Sequence, residues 1–184
     1  PPQRRQCLRS NDGCYVDGGR YLMGFMHASQ PSINPGQLFY YCGKSWHLID
    51  DDIAIPNTFL EISEQEFLIS DSLLAVVWKY ELGLHGQLLG RTAWMEFDSG
   101  TPDGGCVSEN YALIAVWDGG CVSRINLVTK ERSDYPMPFP RPTNCAVDEE
   151  AATLWVTSAR EGLDSEALKK FPLSGKTLAF KVAL

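Results

Sequence analysis

A spacing constrains this chain more than any other feature. Four segments open with a small polar residue after Ser, Pro or Thr: Ser10-Asn11-Asp12-Gly13, Pro56-Asn57-Thr58, Pro102-Asp103-Gly104 and Thr143-Asn144-Cys145. With Asn11, Asn57, Asp103 and Asn144 as anchors, the intervals are 46, 46 and 41 residues. Twelve residues after each anchor an apolar position recurs, at Met23, Ile69, Ala115 and Val156. Each segment then turns through Gly or polar residues into another strand, as in GQLFYYC, AVVWKYEL, GCVSRINL and KTLAFKV. A unit of about 40–50 residues holding several short strands is the signature of a β-propeller blade.

The stretches between anchors agree. YLMGFM, TFLEI, EFLISD, LLAVVWKYEL, ALIAVW, CVSRINLV and TLWVTS are β-branched or aromatic, short, and bounded by Gly, Pro, Asp and Asn. Helical periodicity is confined to Asp164–Phe171. The expected class is all-β, with residues 1–184 forming one partial propeller domain of about four blades. At 184 residues and 44% apolar content the chain has a real core to bury, which excludes disorder.

Charge and composition narrow the partners. The net charge is −7 with Lys and Arg scattered, which argues against nucleic acid and for a small or cationic ligand. No stretch approaches the roughly 20 apolar residues of a membrane helix, so no membrane partner is expected. The start, PPQRRQCLRSNDG, has no apolar h-region. Six cysteines (Cys7, Cys14, Cys42, Cys106, Cys121 and Cys145) form no C-x-x-C pair, and His27, His47 and His85 are far apart in sequence. Free, mostly buried thiols in a reducing, cytoplasmic setting are expected rather than zinc.

In a propeller the first strands of the blades line a central channel, and loops at one end gather around its mouth. Equivalent positions would place Asn11, Asn57, Asp103 and Asn144 near one another. Amide and carboxylate oxygens without imidazole or thiolate suit a hard cation. The same residue types also make ordinary turns before strands, and the spacing does not choose between the two.

At these residues the sequence resembles the senescence-marker-protein/gluconolactonase/luciferin-regenerating-enzyme family of six-bladed, regucalcin-like sugar lactonases. Arg9-Ser10-Asn11-Asp12-Gly13, followed by Asp17, Gly19-Arg20 and Gly24-Phe25-Met26, is similar to its R-x-N-D-G segment. Ile55-Pro56-Asn57 with Ser70-Asp71-Ser72 resembles I-P-N-G…A-D-S. Pro102-Asp103-Gly104 with Trp117 and Gly119-Gly120 resembles P-D-G…W-G-G. Arg141-Pro142-Thr143-Asn144-Cys145, with Leu154 to Arg160 and Gly162-Leu163, resembles the R-P-T-S-C…V-T-S-A-R-x-G-L ending.

The resemblance implies a lactonase that opens sugar lactones with a divalent cation, Ca²⁺ or Zn²⁺, with Mg²⁺ or Mn²⁺ as further candidates. It implies Asn57 and Asp103 as metal ligands, and Arg9 and Asn11 as substrate-binding residues. Lactone hydrolysis needs a polarised carbonyl and a deprotonated water. Asp103, the only carboxylate among the four anchors, is the expected base. The alternative is a non-catalytic ligand- or calcium-binding propeller that has lost turnover.

Two departures from the family pattern carry expectations. A six-bladed member needs roughly 260–300 residues at this repeat length. This chain starts where the third blade should, so the first two blades and their Glu ligand are expected to be missing, with exposed blade edges prone to self-association. Thr58 stands where the family has Gly, and is expected to alter the mouth. Among other residues, Trp78, Trp117 and Trp155 read as blade packing and Trp94 as a loop residue near ligand. His85 reads as a surface turn, Asp50-Asp51-Asp52 as a solvated loop, and Asp71 and Asp118 as supports for the site.

Overall fold

The computed structural model describes residues 7–182. Fifteen strands and one short helix are found among them. The chain divides into two compact units, the first ending at Phe97 and the second starting at Asp98.

The first unit holds two sheets. One is β1 (Leu8–Val16), β2 (Arg20–His27), β3 (Gly36–Tyr41) and β4 (Trp46–Ile53). The other is β5 (Pro56–Ser63), β6 (Glu66–Asp71), β7 (Val76–Leu82) and β8 (Leu88–Glu96). The second unit holds β9 (Thr101–Ser108), β10 (Tyr111–Trp117), β11 (Cys121–Asn126) and β12 (Arg132–Pro136) in one sheet. Its other sheet is β13 (Pro142–Asp148), β14 (Thr153–Ser158) and β15 (Leu178–Lys181), with α1 (Ser165–Lys170) inserted before β15. Every sheet is an antiparallel meander in chain order. The four sheets are blades of a β-propeller, as the repeat predicts.

In the two middle sheets the second strand is covered on both faces, so its apolar run is continuous, whereas β2 alternates. Phe67 to Asp71 in β6 and Ala112 to Val116 in β10 are all buried. The first unit's core joins Val16, Leu22, Leu38, Ile53, Phe67, Ile69 and Tyr80. The second unit's core joins Leu113, Val122, Phe139, Cys145, Leu154 and Val156. Each of the larger apolar side chains contributes about 1.5–3 kcal/mol by leaving water. The outermost strand β12 carries Arg132, Ser133 and Asp134 exposed, a polar edge that discourages pairing with other chains.

Helix α1 matches the expected helical stretch. Asp164 caps it, its carboxylate accepting from the N–H of Glu166 and Ala167 at 3.0 and 2.8 Å, with Lys169 and Lys170 in the last turn.

Three expectations need correction. Trp94 is not in a loop: it sits in β8 and is 7% exposed. Asp50-Asp51-Asp52 is not a solvated loop but part of β4, where the Asp50 carboxylate accepts from Tyr80 Oη at 2.7 Å and Arg91 Nη1 at 2.8 Å. Trp155, expected among the blade packing, leaves 48% of its surface exposed. His85 does lie in an exposed turn.

The four anchors lie inside first strands, not in turns before them. Beside every anchor the pairing with the second strand slips. Asn11 and Asp12 face Gly24 alone, between the pairs Ser10–Phe25 and Gly13–Met23. Thr58 and Phe59 face Ile69 alone, and Asp103 and Gly104 face Ala115 alone. In β13 the extra residue is Thr143, between Pro142–Ser158 and Asn144–Thr157. A bulge bends the strand and re-aims the side chains beside it, which is why bulges concentrate near functional sites.

Candidate functional site

In the first unit the slips bring three of the expected residues into one hydrogen-bonded chain. Arg9 Nη1 donates to Asn11 Oδ1 at 3.0 Å and to the Ser10 carbonyl at 3.1 Å. Asn11 Nδ2 donates to Asn57 Oδ1 at 2.9 Å and to the Pro56 carbonyl at 3.1 Å. Asn57 Nδ2 donates to Ser72 Oγ at 2.8 Å. Residues 46 positions apart thus meet because β1 and β5 are neighbouring first strands.

The bonding decides what each amide offers. Both N–H groups of Asn11 are committed to the second blade, so Asn11 can serve a ligand only as an acceptor, through the remaining lone pair of Oδ1. Asn57 is 8% exposed, and its NH₂ is held by Ser72, which keeps its oxygen turned toward Asn11. Arg9 is exposed and carries five N–H donors, more than its two bonds use.

Asp71 builds the turn that presents Asn57. Its carboxylate accepts from the N–H of Ala54 at 2.7 Å, Ile55 at 3.2 Å and Leu73 at 3.1 Å. It is 1% exposed, so these bonds replace water altogether. The Thr58 departure takes physical form here: its φ is +55°, the left-handed region that favours Gly. Ser70 Oγ donates to Thr58 Oγ1 at 3.0 Å, and this helps a β-branched residue keep that conformation.

One carboxylate went unassigned in the sequence. Asp12, beside the Asn11 anchor, lines a cleft of about 400 Å³ with Asn11, Cys14, Tyr15, Tyr21 and Met23. Burial pushes its carboxyl above the usual range, while hydrogen bonds from the backbone of Gly13 and Thr58 oppose the shift. The Asn-Asp-Gly triplet was the available signal. Gly13 is needed because a Cβ there would sit 2.5 Å from the Leu22 carbonyl oxygen.

In the second unit, Asp103 is half-buried at the slip in β9. Its neighbour Gly104 leaves room for Asn144, whose Cγ would be 2.4 Å from any Cβ placed there. Asn144 turns its Oδ1 to the N–H of Cys145 at 2.8 Å. The Arg-Pro-Thr and Trp-Asp-Gly-Gly segments meet through Arg141, whose Nε and Nη2 donate to Asp118 at 2.6 and 3.3 Å. Arg141 Nη1 also donates to the Glu161 carbonyl. These bonds hold the two segments against each other.

The six cysteines are free, as expected, but only Cys121 and Cys145 are buried; Cys7 is exposed and the other three are half-buried. Among the described residues no three His, Cys, Asp or Glu side chains group as a metal site. Taken each by itself, the amide oxygen of Asn57 and, in the second unit, the carboxylate of Asp103 are oxygen donors of the kind a hard divalent cation takes.

Comparison with known proteins places the chain in a family. Residues 1–160 match the family model described as SMP-30/Gluconolactonase/LRE-like region. Regucalcin of Danio rerio is 31% identical over 183 residues, covering 95% of this chain and 61% of that protein. The 6-deoxy-6-sulfogluconolactonase of Pseudomonas putida is 29% identical over 188 residues, covering 98% and 64%. The crystal structure of a calcium-binding protein, regucalcin, from Agrobacterium tumefaciens superposes with a TM-score of 0.83 at 24% identity, over 96% of this chain and 62% of that one. The chain spans about three fifths of the length of these relatives. With the motifs in order along the sequence and the blades that carry them, the chain belongs to the SMP-30/gluconolactonase/LRE-like family.

Proposed function

We propose that this chain carries the catalytic face of a sugar lactonase in which a divalent cation and a carboxylate share the work. The observation that best supports this reading is the chain of hydrogen bonds from Arg9 through Asn11 to Asn57. It organises, across two blades, the residues that the family resemblance assigns to substrate and metal. Asn57 and Asp103 are the proposed ligands of the ion. When bound, such an ion would polarise the ester carbonyl as a Lewis acid.

The residues of the chain supply the remaining steps. Arg9 donates to hydroxyls of a polyhydroxylated ring, and Asn11 accepts from one, since its own N–H groups are spent. Asp103 takes the proton from the attacking water as general base. Asn57, braced by Ser72 and by the Asp71 turn, keeps its position without rearrangement, so binding pays little ordering entropy there.

The test is proton release from a gluconolactone during titration with Ca²⁺, Zn²⁺, Mn²⁺ and Mg²⁺. Hydrolysis is expected to rise with one of these ions and to fall about 10²–10⁴-fold in Asp103→Asn. Hydrolysis that survives exhaustive chelation, or full turnover in Asp103→Asn, would overturn the mechanism. The second reading, a calcium- or ligand-binding propeller without turnover, rests on the sparse ligand set, one amide and one carboxylate, that the resemblance assigns to this chain. Ion binding without hydrolysis would decide for it.

A further inference from the structure

The hairpin that joins β3 to β4 closes through Gly43 and Lys44, with the N–H of Cys42 bonded to the Ser45 carbonyl at 3.2 Å. Gly43 has φ +83°, as such a tight turn requires. Tyr41 pairs with Trp46 across the strands, their rings 5.0 Å apart, and Tyr41 Oη donates to the Gly43 carbonyl at 2.9 Å. This end of the hairpin is therefore fixed. The register then places three reactive side chains together. Cys42 Sγ lies 3.3 Å from His47 Nε2 and 3.5 Å from Ser45 Oγ, and Ser45 Oγ lies 2.9 Å from the same His47 nitrogen.

By strand direction, this turn is at the end of its blade opposite the Arg9–Asn11–Asn57 chain, so the proposed hydrolysis makes no use of it. A thiol beside an imidazole and a hydroxyl, both within hydrogen-bond reach, is the arrangement of an activated sulfur nucleophile. His47 is exposed and Cys42 half-buried, so a small reagent can approach. The Ser45 hydroxyl, and His47 in the tautomer that carries its proton on Nε2, can each donate to a thiolate. Ser45, by its side chain and backbone, and then His47 hold the Cys42 thiol down to about 6, well below an ordinary thiol.

We propose that Cys42 is a thiolation site for low-molecular-weight disulfides, activated by Ser45 and His47. The thiolate attacks one sulfur of the reagent, so the new Cys42 S–S bond forms as the reagent's S–S bond breaks. Cys42 is oxidised, and the displaced sulfur is reduced, leaving as a thiolate that takes up the proton Cys42 lost.

Reactivity balances two effects. At pH 6 about half of Cys42 is ionised, against roughly 0.3% of an ordinary thiol, while the lower basicity costs about tenfold in nucleophilicity. The net expectation is a rate about tenfold above that of the exposed Cys7.

The experiment treats the folded 184-residue chain with 2,2′-dithiodipyridine at pH 6, following pyridinethione release and locating the adduct by peptide mass spectrometry. One fast equivalent on Cys42 is expected, absent in Cys42→Ser and slowed severalfold toward the Cys7 rate in both Ser45→Ala and His47→Ala. Circular dichroism confirms that each variant is folded, and in denaturant all thiols should react alike. Cys42 reacting no faster than Cys7 in the folded chain, or at an unchanged rate in both folded Ala variants, would overturn the proposal.

Discussion

The two units answer the same repeat position with different chemistry. In the first, neighbouring first strands are tied side chain to side chain: Asn11 donates to Asn57, and Asn57 to Ser72, all through short amide and hydroxyl bonds. In the second, they are fitted side chain to glycine, with Asn144 lying against Gly104 and spending its oxygen on its own chain. The strand slip is common to both. What differs is the anchor residue itself: the first unit has hydrogen-bonded neutral amides, Asn11 and Asn57, with the Asp12 carboxylate beside one of them, whereas in the second unit one anchor, Asp103, is a carboxylate.

The sharpest way to break this comparison is the Asp103→Asn measurement, with its 10²–10⁴-fold expected loss of hydrolysis. If the first unit held the base, that rate would survive and Asp12 would be the residue to change. Next in size is Asp71→Ala. It leaves three backbone N–H groups, bonded now to a buried carboxylate, without their acceptor, and about 3 kcal/mol of stability should be lost in urea unfolding. An effect under about 1 kcal/mol would mean that the Ile-Pro-Asn turn holds itself.

A matched pair of smaller changes sharpens the contrast directly. Asn57→Ala removes a buried amide bonded on both sides and is expected to cost about 2 kcal/mol. Asn144→Ala, at an exposed position, is expected to cost under about 1 kcal/mol. Equal costs would show that the second unit depends on its anchor as much as the first does. Thr58→Gly should change stability by less than about 1 kcal/mol, because relief at φ +55° is offset by the lost Ser70 partner and a more flexible unfolded chain.

The smallest effect is alkaline. Burial first, and then the Asp50 charge and hydrogen bond, push the Tyr80 phenol well above its usual range. Its folded state keeps the proton after the unfolded state has lost it, so stability should fall as pH rises above about 10. Tyr80→Phe should flatten that decline in thermal unfolding scans, and an unchanged slope would assign it elsewhere.

Much of the architecture was legible in the chain itself. Blade number, strand class, the helix at Asp164 and the anchor positions follow from local patterns: turn residues at regular intervals, apolar runs of strand length, and a capping aspartate. These depend on backbone propensity and periodicity, which act over a few residues and are written in sequence order. Other features were decided only in three dimensions. Asn11 and Asn57 meet because two neighbouring first strands both slip, and no single strand's pattern encodes that meeting. Asp50 is buried because Tyr80 and Arg91 reach it from the next blade. Trp94 is in the core because β8 closes its sheet. Cys42 finds His47 because the hairpin register sets them diagonally across the turn. Repeats and capping are fixed by neighbours along the chain, whereas burial, hydrogen-bond partners and the state of a thiol are fixed by neighbours in space.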